Sequence, residues 1–115
     1  NPGYPTYTSL SKILGAEIVN YNLREDNAWQ PDFEELERMD LSGVKLMWTN
    51  YPNMPTGGNA RRETYVRLVE FARANNIVVV NDNPYSLILN EALCPCCRFP
   101  EQRLLHRTQL DVEEP

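Results

Sequence analysis

The sequence is short of the residues that many functional classes require. It has one histidine, His106, and three cysteines, Cys94, Cys96 and Cys97, crowded into one short stretch. An odd, clustered set of cysteines is a poor disulfide framework. A structural zinc site needs four regularly spaced ligands, so no metal site is predicted. Lysine is scarce too: Lys12 and Lys45 are the only two in the chain. No apolar run in these residues approaches the roughly 18 residues of a membrane span. No signal-peptide pattern opens the chain. Asn1-Pro2-Gly3-Tyr4-Pro5 is rich in turn formers and has no initiator Met, and it reads as the inside of a longer protein. Positive charge is also in deficit, with 11 basic against 16 acidic residues and a net charge of -5. That balance argues against nucleic acid or an anionic membrane surface as the partner.

What remains is ordinary. At 115 residues, 42% hydrophobic and 23% charged, the chain suits one small globular domain with a packed core. Residues 1–91 alternate helix and strand patterns, and residues 92–115 do not. Thr6 to Leu14 carries Leu10, Ile13 and Leu14 at helical spacing, with Gly15 where a C-cap is expected. Ala16 to Tyr21 is rich in β-branched and aromatic types and predicts a strand. Pro31-Asp32 opens a helix over Phe33 to Met39, with acidic residues in its first turn. Val44 to Thr49 predicts the next strand, and Asn50 to Asn59 a loop dense in Pro, Gly and Asn. Ala60 to Ala74 places Tyr65, Leu68, Val69 and Ala72 on one stripe of a helix. Ile77 to Val80 is a continuous apolar run, which suits a strand buried on both faces of a parallel sheet. The order implies an α/β layered fold with right-handed crossovers. The end of the chain, Leu104 to Pro115, reads as a short helix or as disordered.

Three stretches lie where strands meet loops, the place where open α/β sheets bind ligands. Asn1-Pro2-Gly3-Tyr4-Pro5-Thr6-Tyr7 is an aromatic-rich turn, in which Tyr4 and Tyr7 can be packing residues. Tyr51-Pro52-Asn53-Met54-Pro55-Thr56-Gly57-Gly58 is a bend stiffened by Pro and Gly. Asn81-Asp82-Asn83-Pro84-Tyr85 puts an acid directly after a buried strand. A carboxylate there either caps a loop or needs a positive or hydrogen-bonding partner.

Taken together and in this order, the three stretches resemble the class I/II aminotransferases of the fold-type I pyridoxal-phosphate (PLP) family. The likeness runs over residues 1–91. The first stretch is similar to the family's N-P-x-aromatic-P turn, the second to its N-P-x-N-P-T-G loop, and the third to its D-x-x-Y motif. The resemblance implies a three-layer α/β/α fold with a mainly parallel sheet, here as part of a PLP-binding large domain. It implies that Tyr4 stacks on the cofactor ring and that Asp82 faces the pyridine nitrogen. Tyr85 is implied as a hydrogen-bond donor to the ring 3-oxygen. Met54 stands where the family has an asparagine that contacts the same oxygen, and the neighbouring Asn53 is the candidate substitute. The implied activity is amino-group transfer between an amino acid and a 2-oxo acid, in a cytoplasmic homodimer when full length. The same motifs also serve β-lyases, decarboxylases and synthases, and a non-catalytic α/β interaction module is the reading from outside enzymology.

The family's Schiff-base lysine, in an S-x-S-K turn roughly thirty to forty residues beyond the aspartate, has no counterpart here. Lys12 and Lys45 both lie upstream of Asp82. No catalytic residue is therefore assigned within the chain. Residues 92–115 read as an atypical tail with a displaced reading frame. Leu105 to Glu114 has synonymous codons that, read one base later, give C-I-E-L-N-S-M-S-K. Ala92 to Arg103 can likewise be encoded so that the remaining frame gives P-L-S-M-L-S-V-P-G-A-K. Sequencing the source DNA checks this. The codons of Leu105 to Glu114 are expected to yield S-M-S-K in the shifted frame, and codons that do not would end the idea.

Overall fold

A computed structural model describes residues 1–85 and the backbone of 104–107. Helix α1 spans Pro5–Ile13, α2 Phe33–Glu37 and α3 Arg62–Asn75, and a 3₁₀ turn covers Glu25–Asn27. Strands β1 (Leu46–Asn50), β2 (Val78–Asp82) and β3 (Leu104–Arg107) form one sheet in the order β1-β2-β3. Both pairings are parallel, with Leu46 opposite Val78, Asn50 opposite Asp82 and Asp82 opposite Arg107. The α3 crossover between β1 and β2 is what a parallel neighbour requires. The fold is α/β, as the alternating pattern indicates.

Local chemistry explains the element ends. Asp32 caps α2, its carboxylate accepting the backbone N–H of Glu34 and of Glu35, each at 3.1 Å. That satisfies two of the donors a helix start leaves free. Asn76 ends α3 in the left-handed region at φ 54°, a conformation asparagine tolerates better than most residues. Gly15, just past α1, has φ 69°, where a side chain would be strained.

The sheet has two unlike faces, because side chains alternate along a strand. Met47, Thr49, Val79 and Asn81 lie on one face and are buried. There Met47 and Val79 pack with Phe33 and Leu36 of α2, Tyr65, Leu68 and Phe71 of α3, and Tyr51 and Ile77. Phe33 meets Phe71 edge to face at 6.1 Å, and the Arg67 guanidinium lies 4.5 Å over the Phe33 ring. On the other face Trp48 stacks against Tyr7 of α1, with ring centroids 4.8 Å apart and planes 12° from parallel. Helices thus flank the sheet on both sides, but unequally: α1 buries no residue, and Ile13 is 81% exposed.

Two expectations are corrected. Ala16 to Tyr21 is not a strand. Its β-branched composition describes a surface that fits a sheet and does not itself supply a neighbour. The chain here is held instead by the Tyr21 hydroxyl donating to the Trp48 carbonyl at 2.7 Å and the Leu23 N–H donating to the Asn1 carbonyl at 2.8 Å. Leu104–Arg107 is a strand, neither helical nor disordered. The far edge of β2 presents backbone donors and acceptors that a further strand can pair. The cysteine cluster and the rest of the tail lie outside the described residues.

Leu68 is 1% exposed at the centre of the α3 stripe. Leu68→Ala is expected to cost about 2–5 kcal/mol, and Asp32→Ala about 1 kcal/mol through the lost cap. Urea unfolding measures both, and a smaller loss for Leu68→Ala than for Asp32→Ala would contradict the placement of the core.

Candidate functional site

β1 and β2 run parallel and end together, so Asn50 and Asp82 stand side by side at the carboxyl edge of the sheet. Alternation sends Asn81 into the core and Asp82 to the α1 face. Asn81 is 1% exposed. Its Oδ1 accepts the Thr49 hydroxyl at 3.0 Å and the Tyr51 N–H at 3.2 Å, and its Nδ2 donates to the Tyr51 carbonyl at 3.4 Å. A buried amide so engaged locks the exit of β1 to the exit of β2, since leaving any of these groups unpaired in the core is costly.

Asn50 adds a second tie. Its Nδ2 donates to the Asp82 carbonyl at 2.9 Å, and its Oδ1 accepts the Met54 N–H at 2.7 Å. One side chain thereby fixes the backbone of the acid and the start of the Pro-rich loop. That loop closes on itself through Asn53, whose N–H donates to the Gly58 carbonyl and whose carbonyl accepts the Gly57 N–H, both at 2.8 Å. The Thr56 hydroxyl donates to Asn53 Oδ1 at 2.6 Å and accepts the Gly58 N–H at 3.1 Å. Gly58 also lies against Trp29, where an added Cβ would come within 2.8 Å of the Trp29 Cβ. Only glycine allows that approach.

Asp82 itself is half-buried, and its Oδ2 accepts the hydroxyl of Tyr7 at 2.9 Å. Burial first, then the hydrogen bond to Asp82 and its charge, push the Tyr7 phenol far above its ordinary range. Tyr7 is therefore a hydrogen-bond donor at any working pH. Trp48 holds the Tyr7 ring from one side, and Tyr4 meets it edge-on at 6.0 Å and 71°. The result is a carboxylate bordered by aromatic rings at the end of a parallel sheet. The Asn83 Oδ1 is buried with no partner among the described residues, an acceptor that a donor from a bound group or water would satisfy.

The residues singled out from sequence take unequal positions. Tyr4 is 49% exposed at the N-cap of α1. Asp82 and Tyr4 are joined through Tyr7. Tyr85 is half-buried three residues beyond Asp82. Asn53 is buried inside its own loop, with its amide oxygen engaged by Thr56, and Met54 is exposed with only its backbone N–H in the Asn50 tie. Sequence reasoning gave no role to Tyr7 beyond packing, and none to Asn50, Asn81 or Trp48. Signals for some of these were present. Tyr7 lies one helical turn after Tyr4, and Asn81 is a polar residue directly following an apolar run. Among the described residues no cluster of metal-ligating side chains occurs, and no helix is long and apolar enough to cross a membrane. A polar hollow lined by Asn22, Arg24, Asp26, Asn27, Gln30 and Asp32 shares no residue with the Asp82 group.

Known proteins are similar to this chain in sequence and in fold. A profile of the aminotransferase class I and II family matches residues 1–110. The LL-diaminopimelate aminotransferase of Dehalococcoides mccartyi is 38% identical over 95 residues, covering 83% of this chain and 24% of that protein. Transaminase BacF of Bacillus subtilis is 41% identical over 85 residues, covering 74% of this chain and 21% of its own length. The structure of an alanine aminotransferase from Pyrococcus furiosus superposes with a TM-score of 0.73 at 32% identity, over 80% of this chain and 23% of that one. The chain spans about a quarter of the length of the curated relatives it matches.

The Asn50 tie can be tested without any ligand. Asn50→Ala removes two hydrogen bonds, one to Asp82 and one to Met54, and is expected to destabilise the fold by about 1–3 kcal/mol. Hydrogen exchange at the Met54 amide should accelerate in step. An unchanged exchange rate would mean that the side chain does not hold the loop.

Proposed function

This chain belongs to the aminotransferase class I and II family, and on that premise we propose that it forms part of the cofactor-binding large domain of a PLP-dependent transaminase. The whole enzyme moves an amino group between an amino acid and a 2-oxo acid, as a homodimer in the cytoplasm. In this reading residues 1–91 are the native portion of that domain, and residues 92–115 carry a displaced frame.

The observation that supports it most directly is the carboxylate of Asp82, set at the carboxyl end of β2 and held by the Tyr7 hydroxyl at 2.9 Å. The donor set suits the cofactor: an anchored carboxylate with aromatic rings beside it. Bound pyridoxal phosphate supplies an electron-withdrawing ring that stabilises negative charge on the substrate carbon. Asp82 would keep a proton on the ring nitrogen, because an opposite charge close by favours the protonated form. Tyr4, exposed at the start of α1, would cover one face of the ring by stacking. Tyr85 would donate to the ring oxygen. Asn53 would contribute there through its amide N–H groups, since the ring oxygen is an acceptor, while Thr56 donates to its oxygen.

The paired ends of β1 and β2 give this arrangement its rigidity, and a preorganised charge is worth more than one that must be recruited from solvent. In the protein extended to the length of its relatives, Asp82→Ala is expected to lower kcat/KM for transamination by about a hundredfold or more. The cofactor's absorbance near the visible edge should change as well. A variant that processes amino acids as fast as its parent would remove the basis for the assignment.

A further inference from the structure

We propose that Tyr7 is a positioning residue for Asp82, fixing the direction in which that carboxylate faces its partner. The inference rests on the assignment of Asp82 to the cofactor site and goes beyond it, because Tyr7 would act through Asp82 without touching the cofactor.

Three observations carry it. The Tyr7 hydroxyl donates to Oδ2 of Asp82 at 2.9 Å. A carboxylate at a strand end can still rotate about its own bonds, and a hydrogen bond from a neutral donor to one charged oxygen limits that rotation. The donor is itself immobile, because its ring lies flat on Trp48 at 4.8 Å and 12°. Trp48 and Asp82 project from the same face of the sheet, Trp48 on β1 and Asp82 on β2, so one rigid surface sets both the ring and the acid. A loosely held phenol would exchange its partner for water. A stacked one keeps its hydroxyl where the carboxylate needs it.

The second oxygen of Asp82 is then presented in a defined direction. The groups bearing on the Tyr7 phenol are Asp82, Tyr21 and Tyr4. Of these Asp82 is the carboxylate, and the other two are phenols. Tyr21 holds its own proton firmly through burial. The pairing is therefore asymmetric in a useful way. Tyr7 gives the hydrogen bond and Asp82 keeps the charge, so the charge stays available to a cationic partner.

The test uses the whole-length protein with Tyr7→Phe, which keeps the ring and its stack and deletes only the hydroxyl. The melting temperature should move little, since the aromatic packing is retained. kcat is expected to fall about tenfold with KM for the amino acid within about twofold, the pattern of a lost transition-state interaction. In an Asp82→Asn background the same substitution should change kcat by less than about twofold, because the effect runs through the carboxylate. Equal losses in both backgrounds would overturn the proposal.

A readout free of catalysis accompanies this. In cofactor-free protein with labelled tyrosine rings, NMR should show the Tyr7 phenol titrating at lower pH in Asp82→Asn than in the parent, because the acid's hydrogen bond and charge both raise it. An unmoved titration would also overturn the pairing. If instead the phenol shifts as expected but Asp82→Ala leaves transamination intact, the pairing stands and the functional reading fails, so the two are told apart.

Discussion

The parallel pairing of β1 with β2 is the constraint on which the site depends. It sets Asn50 opposite Asp82 and Trp48 opposite Val80, and from that register every other relation follows. Slipping one strand by a single residue would reverse the faces. Asn81 would leave the core and Asp82 would enter it, where a charge without a strong partner is not tolerated. The Asn81 amide, bonded to Thr49 and to both backbone groups of Tyr51, is the device that forbids the slip. A polar residue in the middle of a core thus serves specificity more than raw stability, because its bonds exist in one alignment only.

Much of the scaffold was legible in the residues. The run Ile77 to Val80 announced a strand covered on both faces, and the spacing of Tyr65, Leu68 and Val69 announced the helix that crosses above it. Turn formers bounded both within a residue or two. Ala16 to Tyr21 was not legible, because strand composition says that a segment fits a sheet and says nothing of whether a sheet edge is within reach. Leu104–Arg107 failed for the converse reason. Leu104-Leu105-His106-Arg107 has no clear alternation, yet it pairs because the edge of β2 is there to receive it.

At the candidate site, sequence and resemblance together singled out the acid and gave no account of what holds it. Asp82 was conspicuous as a charge after an apolar run. Tyr7 was not, because its partner lies on an element remote in sequence, and a tyrosine in a first helical turn looks like packing. Asn50 was read as the first residue of a loop, and its two side-chain bonds depend on how β1 stops relative to β2. Asn53 illustrates the reverse. Its position beside Met54 drew attention to it, while its neighbours Thr56, Gly57 and Gly58 had already engaged much of its polar capacity in shaping the bend. Residue type and order mark where chemistry can sit, and three-dimensional closure decides which neighbours supply it.

The bond from Tyr7 to Asp82 spans 75 positions along the chain. Closing so long a loop carries an entropic penalty that nearby contacts do not face, and long-range pairings tend to form late. The α2 cap and the α3 turns need only their own neighbours, whereas the acid acquires its phenol only once α1 has docked on the face of the βαβ unit. During synthesis the ribosome delivers Tyr7 and its stacking partner Trp48 before Asp82 emerges, so the phenol's ring meets its cover on β1 earlier in the chain than its hydroxyl meets an acceptor on β2.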